Sequence, residues 1–176
     1  FGTPLFKYRL SSSVGRQESA YIFILSPPFS GSSVLEDVIG SSPNVSQLPR
    51  EGQFIGEART VMRGRHWDSD YEVPWSMVKE EWEDKWNLDR PLLLEKSPPN
   101  VLRAPAIERH FDPAYFIAMI GDPYAFCEGC QRRNNEYDLR GSARLWLKCA
   151  YHQRRNVQDL DNIIWFTYED FTEQTD

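Results

Sequence analysis

Three short stretches of the sequence carry residue types suited to chemistry on an anionic group, and each of them directly follows an apolar run. They are Ser30-Gly31-Ser32-Ser33, Glu51 and Lys96. A small-residue loop at a helix start offers backbone N–H donors, a carboxylate can accept a proton, and an ammonium can neutralise developing charge. Because ligands of open α/β sheets bind where the parallel strands end, we expect these residues to converge on one cleft.

The loop Ser30–Ser33 lies between a predicted strand and a predicted helix. Tyr21 to Leu25 is an uninterrupted apolar run, and apolar residues recur at helical spacing from Val34 to Ile39. The first N–H groups of a helix lack intrahelical partners, and the helix dipole adds partial positive charge there, which suits phosphate or sulfate. Serines that merely cap the helix would give the same pattern. The stretch alone favours neither interpretation.

The same stretch does not meet the requirements of a nucleotide-triphosphate loop. That loop needs G-x-x-x-x-G-K-[ST], and here Ser26 stands at the first glycine and Ser32 at the lysine. A γ-phosphate would have no lysine to meet it. A nucleotide kinase, ATPase or GTPase is therefore the least favoured of the enzymes considered.

The composition indicates a globular protein. The chain has 176 residues, of which 40% are hydrophobic and 14% aromatic, and its apolar runs reach only about five residues, against roughly 20 for a membrane span. The formal net charge of −6 argues against a broad nucleic-acid-binding face. We expect no nucleic acid partner and no membrane segment within this chain.

The cysteines do not indicate a disulfide framework or a metal site. Three are present, which is an odd number, and Cys127 and Cys130 have no second pair to complete a zinc site. Their helical spacing favours two core-facing side chains, and we predict no metal ligands.

Strands and helices alternate along the chain, which predicts an α/β fold. We predict parallel central strands near 21–25, 91–95, 115–120 and 162–167, and Val45 to Leu48 is a candidate for a further short strand. The expected fold is a single domain with a P-loop-type parallel central sheet, flanked by helices on both faces. We expect residues 1–19 to form an N-terminal arm and residues 20–176 to form the domain, incomplete at its C-terminus.

Several predicted segments connect these strands. We predict a loop over 60–73, a helix from Pro74 to Asn87, and further helices over 101–110, 122–133 and 141–160. The apolar stripe Trp75, Val78, Trp82 and Trp86 of the first helix is more typical of packing against the domain than of a stacking platform for a ligand.

The order of motifs from Tyr21 onward resembles that of a known family. The motifs are SGSS before a helix, REGQF, EKSPPN, GDPY and YEDF. This order resembles sulfotransferases that use 3′-phosphoadenosine 5′-phosphosulfate (PAPS), especially the carbohydrate and Golgi-type branch. No single motif is specific, but their order and spacing together are.

The resemblance implies roles for the residues named at the outset. The Ser30–Ser33 loop matches the family's loop around the 5′-phosphosulfate of PAPS, the implied co-substrate. Glu51, in REGQF, matches a glutamate that is the catalytic base in several branches. Lys96, in EKSP, matches a lysine near the transferring sulfonyl group. Tyr168, Glu169 and Asp170 are expected to be structural.

The sequence also departs from the family at anion-contacting positions. Phe29 stands where a basic residue usually precedes the loop, and Gly121 and Gly129 replace the arginine and serine that grip the 3′-phosphate. The family also has a later loop of glycine and lysine residues over the nucleotide, and the sequence up to Asp176 does not contain it. Each lost charge-assisted bond is worth roughly 1.5–3 kcal/mol. Nearby arginines are candidates to compensate: Arg103, Arg132 and Arg133.

Two functions therefore compete. The first is a sulfotransferase that moves a sulfonyl group from PAPS to a hydroxyl or amine acceptor, possibly a carbohydrate. The second is a non-catalytic relative that binds an anion or a partner, supported by Gly121 and Gly129. The carbohydrate branch implies the Golgi lumen, and otherwise the cytoplasm is expected; the acceptor stays open.

Overall fold

The computed structural model describes residues 19–133 and 137–173. Five strands form one sheet: β1 (Ala20–Leu25), β2 (Val45–Gln47), β3 (Leu92–Glu95), β4 (Ala114–Ile120) and β5 (Ile163–Thr167). The predicted arm, 1–19, lies outside these residues except for Ser19, whose hydroxyl donates to the carbonyls of Leu88 and Arg90.

The sheet is entirely parallel, as predicted, and its strand order is β2-β3-β1-β4-β5. The central strand β1 pairs with β3 on one side and with β4 on the other, with Phe23 opposite both Glu95 and Phe116. All strand ends therefore lie at one edge, which is where the chain places its polar loops.

Seven helices of the described residues connect or follow these strands. They are α1 (Ser32–Gly40), α2 (Ala58–Arg63), α3 (Trp75–Glu83), α4 (Ala104–His110), α5 (Pro123–Arg133), α6 (Leu139–Asp159) and α7 (Tyr168–Glu173), with short 3-10 helices at Gly52–Phe54 and Pro98–Leu102. None of the helices in the described ranges is long and apolar enough to cross a membrane.

The helices flank both faces of the sheet because side chains alternate along each strand. Tyr21, Phe23 and Leu25 of β1 point into the larger core, to which α2 through α6 contribute. Ile24 points to the other face, where a smaller cluster includes Leu35 of α1. This arrangement confirms the predicted fold class.

The predicted loop over 60–73 is wrong in its first part, because α2 occupies Ala58–Arg63. Ala58 and Met62, four residues apart, are both fully buried, and this one-sided burial fixes the short helix. The charged residues around them, Glu57, Arg59 and Arg63, mask the apolar spacing in the sequence.

Other predicted helices differ at their ends. Helix α3 stops at Glu83 rather than Asn87, yet Trp86 is still buried and its indole donates to the Leu94 carbonyl. The segment predicted as one helix over 101–110 begins as a 3-10 helix, and α4 starts at Ala104 with Pro105 in its first turn.

The tryptophan stripe packs inward. Trp75, Val78, Trp82 and Trp86 are all at most 4% exposed. The Trp82 indole donates to the carbonyl of Gly52 at 3.1 Å. The packing interpretation is confirmed, and the stripe also supports the turn that follows Glu51.

Candidate anion-transfer site

A cavity of about 630 Å³ opens at the carboxyl edge of the sheet. It brings together the ends of β1, β2, β3 and β4 with the start of α7. The residues that matter for its chemistry are Ser30, Gly31, Ser32, Ser33, Glu51, Lys96, Gly121, Gly129, Arg132, Arg133 and Glu169. All candidates from the three stretches that the sequence singled out lie in this one cavity, and their roles stay predictions.

The loop before α1 lines the cavity. Phe29 and Gly31 both have left-handed backbone angles, with φ of 59° and 77°, so the chain turns sharply before the helix begins at Ser32. Gly31 is the N-cap residue, and no side chain caps the helix. Within the described ranges, no N–H from Ser30 to Ser33 has a hydrogen-bond partner. The alternative in which the serines cap the helix is therefore wrong.

Tyr168 closes over this loop from α7. A Cβ at Gly31 would overlap the ring of Tyr168. The glycine is thus required twice, by its backbone angle and by the close approach of an aromatic side chain.

Gly31→Ala is expected to lower the free energy of unfolding by at least about 1–2 kcal/mol, the typical cost of a left-handed backbone at a residue with a Cβ. Chemical denaturation measures the change. Gly64→Ala is the matched control, because its nearest neighbour is the Thr60 carbonyl at 3.9 Å and its backbone is helical. Equal effects of the two substitutions would contradict this account of the loop.

Glu51 and Lys96 form an ion pair inside the cavity. Lys96 Nζ lies 2.9 Å from Glu51 Oε1, and the lysine is only 4% exposed. Burial works to lower the pKa of Lys96, but the hydrogen bond and charge of Glu51, with the charge of Glu36, outweigh it and raise that pKa. Lys96 therefore remains an ammonium at neutral pH.

The turn that carries Glu51 is fixed by Glu95, a residue that the sequence did not single out. Glu95 Oε1 accepts hydrogen bonds from the Gly52 N–H at 2.9 Å and the Ser97 hydroxyl at 2.5 Å, and Oε2 accepts one from Asn100 at 2.6 Å. Gln53 adds a bond from its side chain to Glu51 Oε2 at 2.5 Å. The end of β3 thus positions both members of the ion pair.

Glu95 is fully buried, and that burial raises its pKa from 4.5 to about 7, although the bonds from Ser97 and Gly52 act in the opposite direction. The folded protein therefore keeps this proton to higher pH than the unfolded chain. The stability that Glu95 contributes is fully present below about pH 4.5 and is lost as the pH rises through about 7.

Urea denaturation of wild type and Glu95→Gln between about pH 6 and 8 is expected to show this loss in the wild type alone. His152 has a lowered pKa, mainly through burial, so its contribution runs in the opposite direction. Both proteins carry His152, and their difference isolates Glu95. Stability curves that run parallel over this range would refute the assignment.

Gly121 and Gly129, which the resemblance places at the 3′-phosphate contacts of PAPS sulfotransferases, also line this cavity. The Gly121 carbonyl accepts a hydrogen bond from Trp146, and the N–H of the next residue, Asp122, donates to Glu169 at 3.1 Å. A carboxylate therefore stands beside Gly121. The Asp122 carboxylate accepts hydrogen bonds from the N–H groups of Tyr124 and Ala125 in the first turn of α5. At the start of α7 the Thr167 hydroxyl accepts from the Asp170 N–H, and the Asp170 carboxylate accepts from the Thr167 N–H.

Of the three arginines proposed to compensate for the missing anion contacts, two line the cavity and one does not. Arg103 is buried elsewhere and donates to the carbonyls of Met62 and Arg65, so it is wrong as a candidate. Arg132 and Arg133 do reach the cavity. The Arg133 guanidinium lies 5.9 Å from the centre of the Phe29 ring, and this cation–π contact brings a positive charge to the position where Phe29 lacks one.

Within the described ranges, no group of three or more His, Cys, Asp or Glu side chains could hold a metal ion. Cys127, Cys130 and Cys149 are buried and free, in agreement with the core-facing prediction. Burial raises the pKa of Cys149 to about 12, so this thiol is inert at neutral pH.

The fold and the cavity at its strand ends define an α/β domain with the architecture of sulfotransferase domains, as comparison with solved structures shows. A sulfotransferase domain from the curacin biosynthetic pathway superposes with a TM-score of 0.60 at 20% identity, covering 89% of this chain and 69% of its own. At these identities the likeness shows the fold alone.

Two further solved structures share this fold. The sulfotransferase domain of the Synechococcus PCC 7002 olefin synthase matches with a TM-score of 0.54 at 21% identity, over 95% of this chain and 72% of that one. A sulfotransferase from Alicyclobacillus acidocaldarius matches with a TM-score of 0.55 at 13% identity, over 86% and 74% of the two chains. The sequence matches no protein-family model and no curated protein.

Proposed function

We propose that this chain is a sulfotransferase that moves a sulfonyl group from PAPS to a hydroxyl or amine acceptor. The observation that carries the proposal is the Glu51–Lys96 pair, 2.9 Å apart, in a cavity that begins at the uncapped start of α1. A base, a cation and free N–H donors within one cavity are the groups that sulfonyl transfer requires.

The reaction is an in-line displacement on sulfur. The acceptor oxygen or nitrogen forms a bond to sulfur while the bond from sulfur to the phosphate oxygen breaks, and its electron pair leaves with adenosine 3′,5′-bisphosphate. Glu51 takes the acceptor proton. Lys96 and the N–H groups of Ser30–Ser33 stabilise the charge that develops on the sulfonyl and leaving oxygens. Their positions are fixed before reaction, which avoids reorganisation of solvent.

The 3′-phosphate end of the nucleotide would lie towards Gly121 and Gly129 in this proposal. Arg132 and Arg133 line that end, while the carboxylate of Glu169 stands beside Gly121. The carboxylate and the absent side chains weaken a 3′-phosphate subsite and support the second candidate, a non-catalytic relative. The cation–π contact of Arg133 with Phe29 supports the first candidate, the sulfotransferase, because it brings a positive charge to the cavity. The carbohydrate branch receives no support from the solved neighbours, so the acceptor is proposed only as an alcohol or amine.

A thermal shift with adenosine 3′,5′-bisphosphate tests the donor assignment. Ligand at 100 times its dissociation constant is expected to add about 2.7 kcal/mol to the stability of the wild type. Lys96→Met is expected to reduce the shift, whereas Lys85→Met, which changes an exposed lysine, keeps it.

No shift at millimolar nucleotide would reject the PAPS proposal. An equal shift in Lys96→Met and Lys85→Met would place the nucleotide outside this cavity and reject it as well.

A further inference from the structure

Three acceptor groups of the protein surround the ammonium of Lys96. An ammonium carries three donors, and Nζ lies 2.9 Å from Glu51 Oε1, 3.4 Å from Glu36 Oε2 and 3.4 Å from the Ser33 hydroxyl. An anionic oxygen that binds Lys96 must therefore replace one of these three acceptors.

Of the two carboxylates that contact Lys96, Glu36 is the one whose replacement costs less. Glu51 is held on its other oxygen by Gln53, and its turn is anchored by Glu95. Within the described ranges, the carboxylate of Glu36 has Lys96 as its only ion-pair partner. Its distance to Nζ is 0.5 Å longer than that of Glu51, as the two values of 3.4 and 2.9 Å show.

The position of Glu36 also sets it against an incoming anion. It lies on α1 one turn after Ser32 and Ser33, which line the cavity and whose N–H groups have no hydrogen-bond partner within the described ranges. Its side chain is 14% exposed, so the repulsion between its carboxylate and a bound anion is only partly screened by water. An anion bound at the loop would pair with Lys96 in place of Glu36, and its charge would also repel the Glu36 carboxylate.

Four charged groups face the Glu36 carboxylate. Lys96 and Glu95 come from the end of β3, Glu51 from the turn after β2, and Asp37 from its own helix. Burial is the main cause that raises the pKa of Glu36, with Glu51 and Asp37 adding to it and Lys96 opposing it. Loss of Lys96 as a partner removes the opposing effect.

We propose that Glu36 is an exchangeable counter-ion of Lys96, which an anionic donor displaces, and that Glu36 takes up a proton as it leaves. The proposal rests on the proposed function in one respect: the anion is the phosphosulfate of the donor. Glu36 is then a positioning residue that makes donor binding tighter at lower pH, through Lys96 and without contact to the acceptor.

Sulfate is the probe of choice, because it keeps its charge over the pH range of interest. Stabilisation by sodium sulfate is measured against sodium chloride at equal ionic strength, with Lys96→Met as the baseline for effects outside the cavity. Glu36→Gln keeps the shape of the side chain and removes its charge. Asp37→Asn removes a charge from the next, exposed residue of the same helix and is the matched control.

At about pH 7.5 Glu36→Gln is expected to bind sulfate roughly tenfold more tightly than the wild type, and Asp37→Asn is expected to differ little. The advantage of Glu36→Gln shrinks as the pH is lowered, because protonated Glu36 in the wild type no longer competes. Both results together support the exchange.

Equal affinities for Glu36→Gln and Asp37→Asn, or an advantage that does not change with pH, would overturn the exchange. Absence of any Lys96-dependent sulfate binding would overturn it too. The outcome is separable from the proposed function: a nucleotide shift with no effect of Glu36→Gln rejects the exchange alone, while sulfate exchange without a nucleotide shift rejects PAPS as the donor.

Discussion

Glu51→Gln is expected to lower the rate of sulfonyl transfer by about 10²–10⁴-fold, the usual contribution of a general base. The substitution keeps the shape of the side chain and its contact with Lys96 but removes the basic oxygen. Nucleotide binding is expected to be retained or slightly tighter, because one negative charge leaves the neighbourhood of Lys96. Steady-state rates and calorimetric titration of adenosine 3′,5′-bisphosphate measure the two quantities separately.

The matched control for this substitution is Glu57→Gln, which changes an exposed glutamate that makes no capping bond at the start of α2. We expect it to keep the wild-type rate. Full transfer activity in Glu51→Gln would contradict the assignment of the base. A loss of nucleotide binding together with activity would instead indicate that the cavity had rearranged.

Lys96→Met is expected to lower turnover by about 10²–10³-fold, the effect of removing one preorganised donor to a developing oxyanion. Lys96→Met should lower turnover more than it lowers acceptor affinity. The reason is that the Lys96 ammonium stabilises oxygens that become more negative in the transition state. It also leaves Glu36 and Glu51 without their shared cation. We expect the free energy of unfolding to fall by about 1–3 kcal/mol, less than for a fully buried pair because the Glu51 side chain is 25% exposed.

Lys96→Arg separates charge from geometry. It restores the positive charge, so we expect it to recover most of the stability that Lys96→Met loses. Its planar guanidinium does not reproduce the three donors of an ammonium, and turnover is expected to recover only in part. Wild-type turnover in Lys96→Met would refute the role of this residue, whatever its stability.

The sheet was predictable from the sequence because each central strand is a short run of apolar residues bounded by turn residues. Runs such as Tyr21–Leu25 are buried on both faces, and their alternation with predicted helices favours a parallel sheet covered by helices. The meeting of Glu51 and Lys96 followed from the same logic, since both residues come directly after strand ends. Parallel pairing of β3 with β2 then places them side by side.

Other features depend on tertiary contacts that no local pattern encodes. Helix α2 is fixed by burial of Ala58 and Met62, in a segment whose charges hide any period. The pairing of Glu36 with Lys96 joins residues 60 positions apart, from Glu36 on α1 to the end of β3. The sequence signal for this pairing was a glutamate three residues after Ser33. Many solvent-exposed glutamates occupy the same position in a helix, so the signal does not distinguish a buried partner of Lys96.

The loop at the start of α1 shows how one close contact decides between two interpretations. Serines before a helix are equally typical of caps and of anion sites. The left-handed Phe29 and Gly31 turn the chain so that no serine caps the helix, and Tyr168 packs against the glycine. Tyr168 lies 137 positions further along the sequence than Gly31, so the sequence of the loop alone could not decide.

Transfer of a labelled sulfonyl group is the measurement that tests the central claim most directly. The protein is incubated with PAPS labelled in its sulfonyl group and a panel of alcohols and amines, and the label recovered in each acceptor is counted for wild type and for Glu51→Gln. We predict that at least one acceptor receives label from the wild type and that Glu51→Gln transfers about 10²-fold less or lower still. Binding of the nucleotide without transfer to any acceptor above the Glu51→Gln level would contradict the account and establish the chain as a non-catalytic relative.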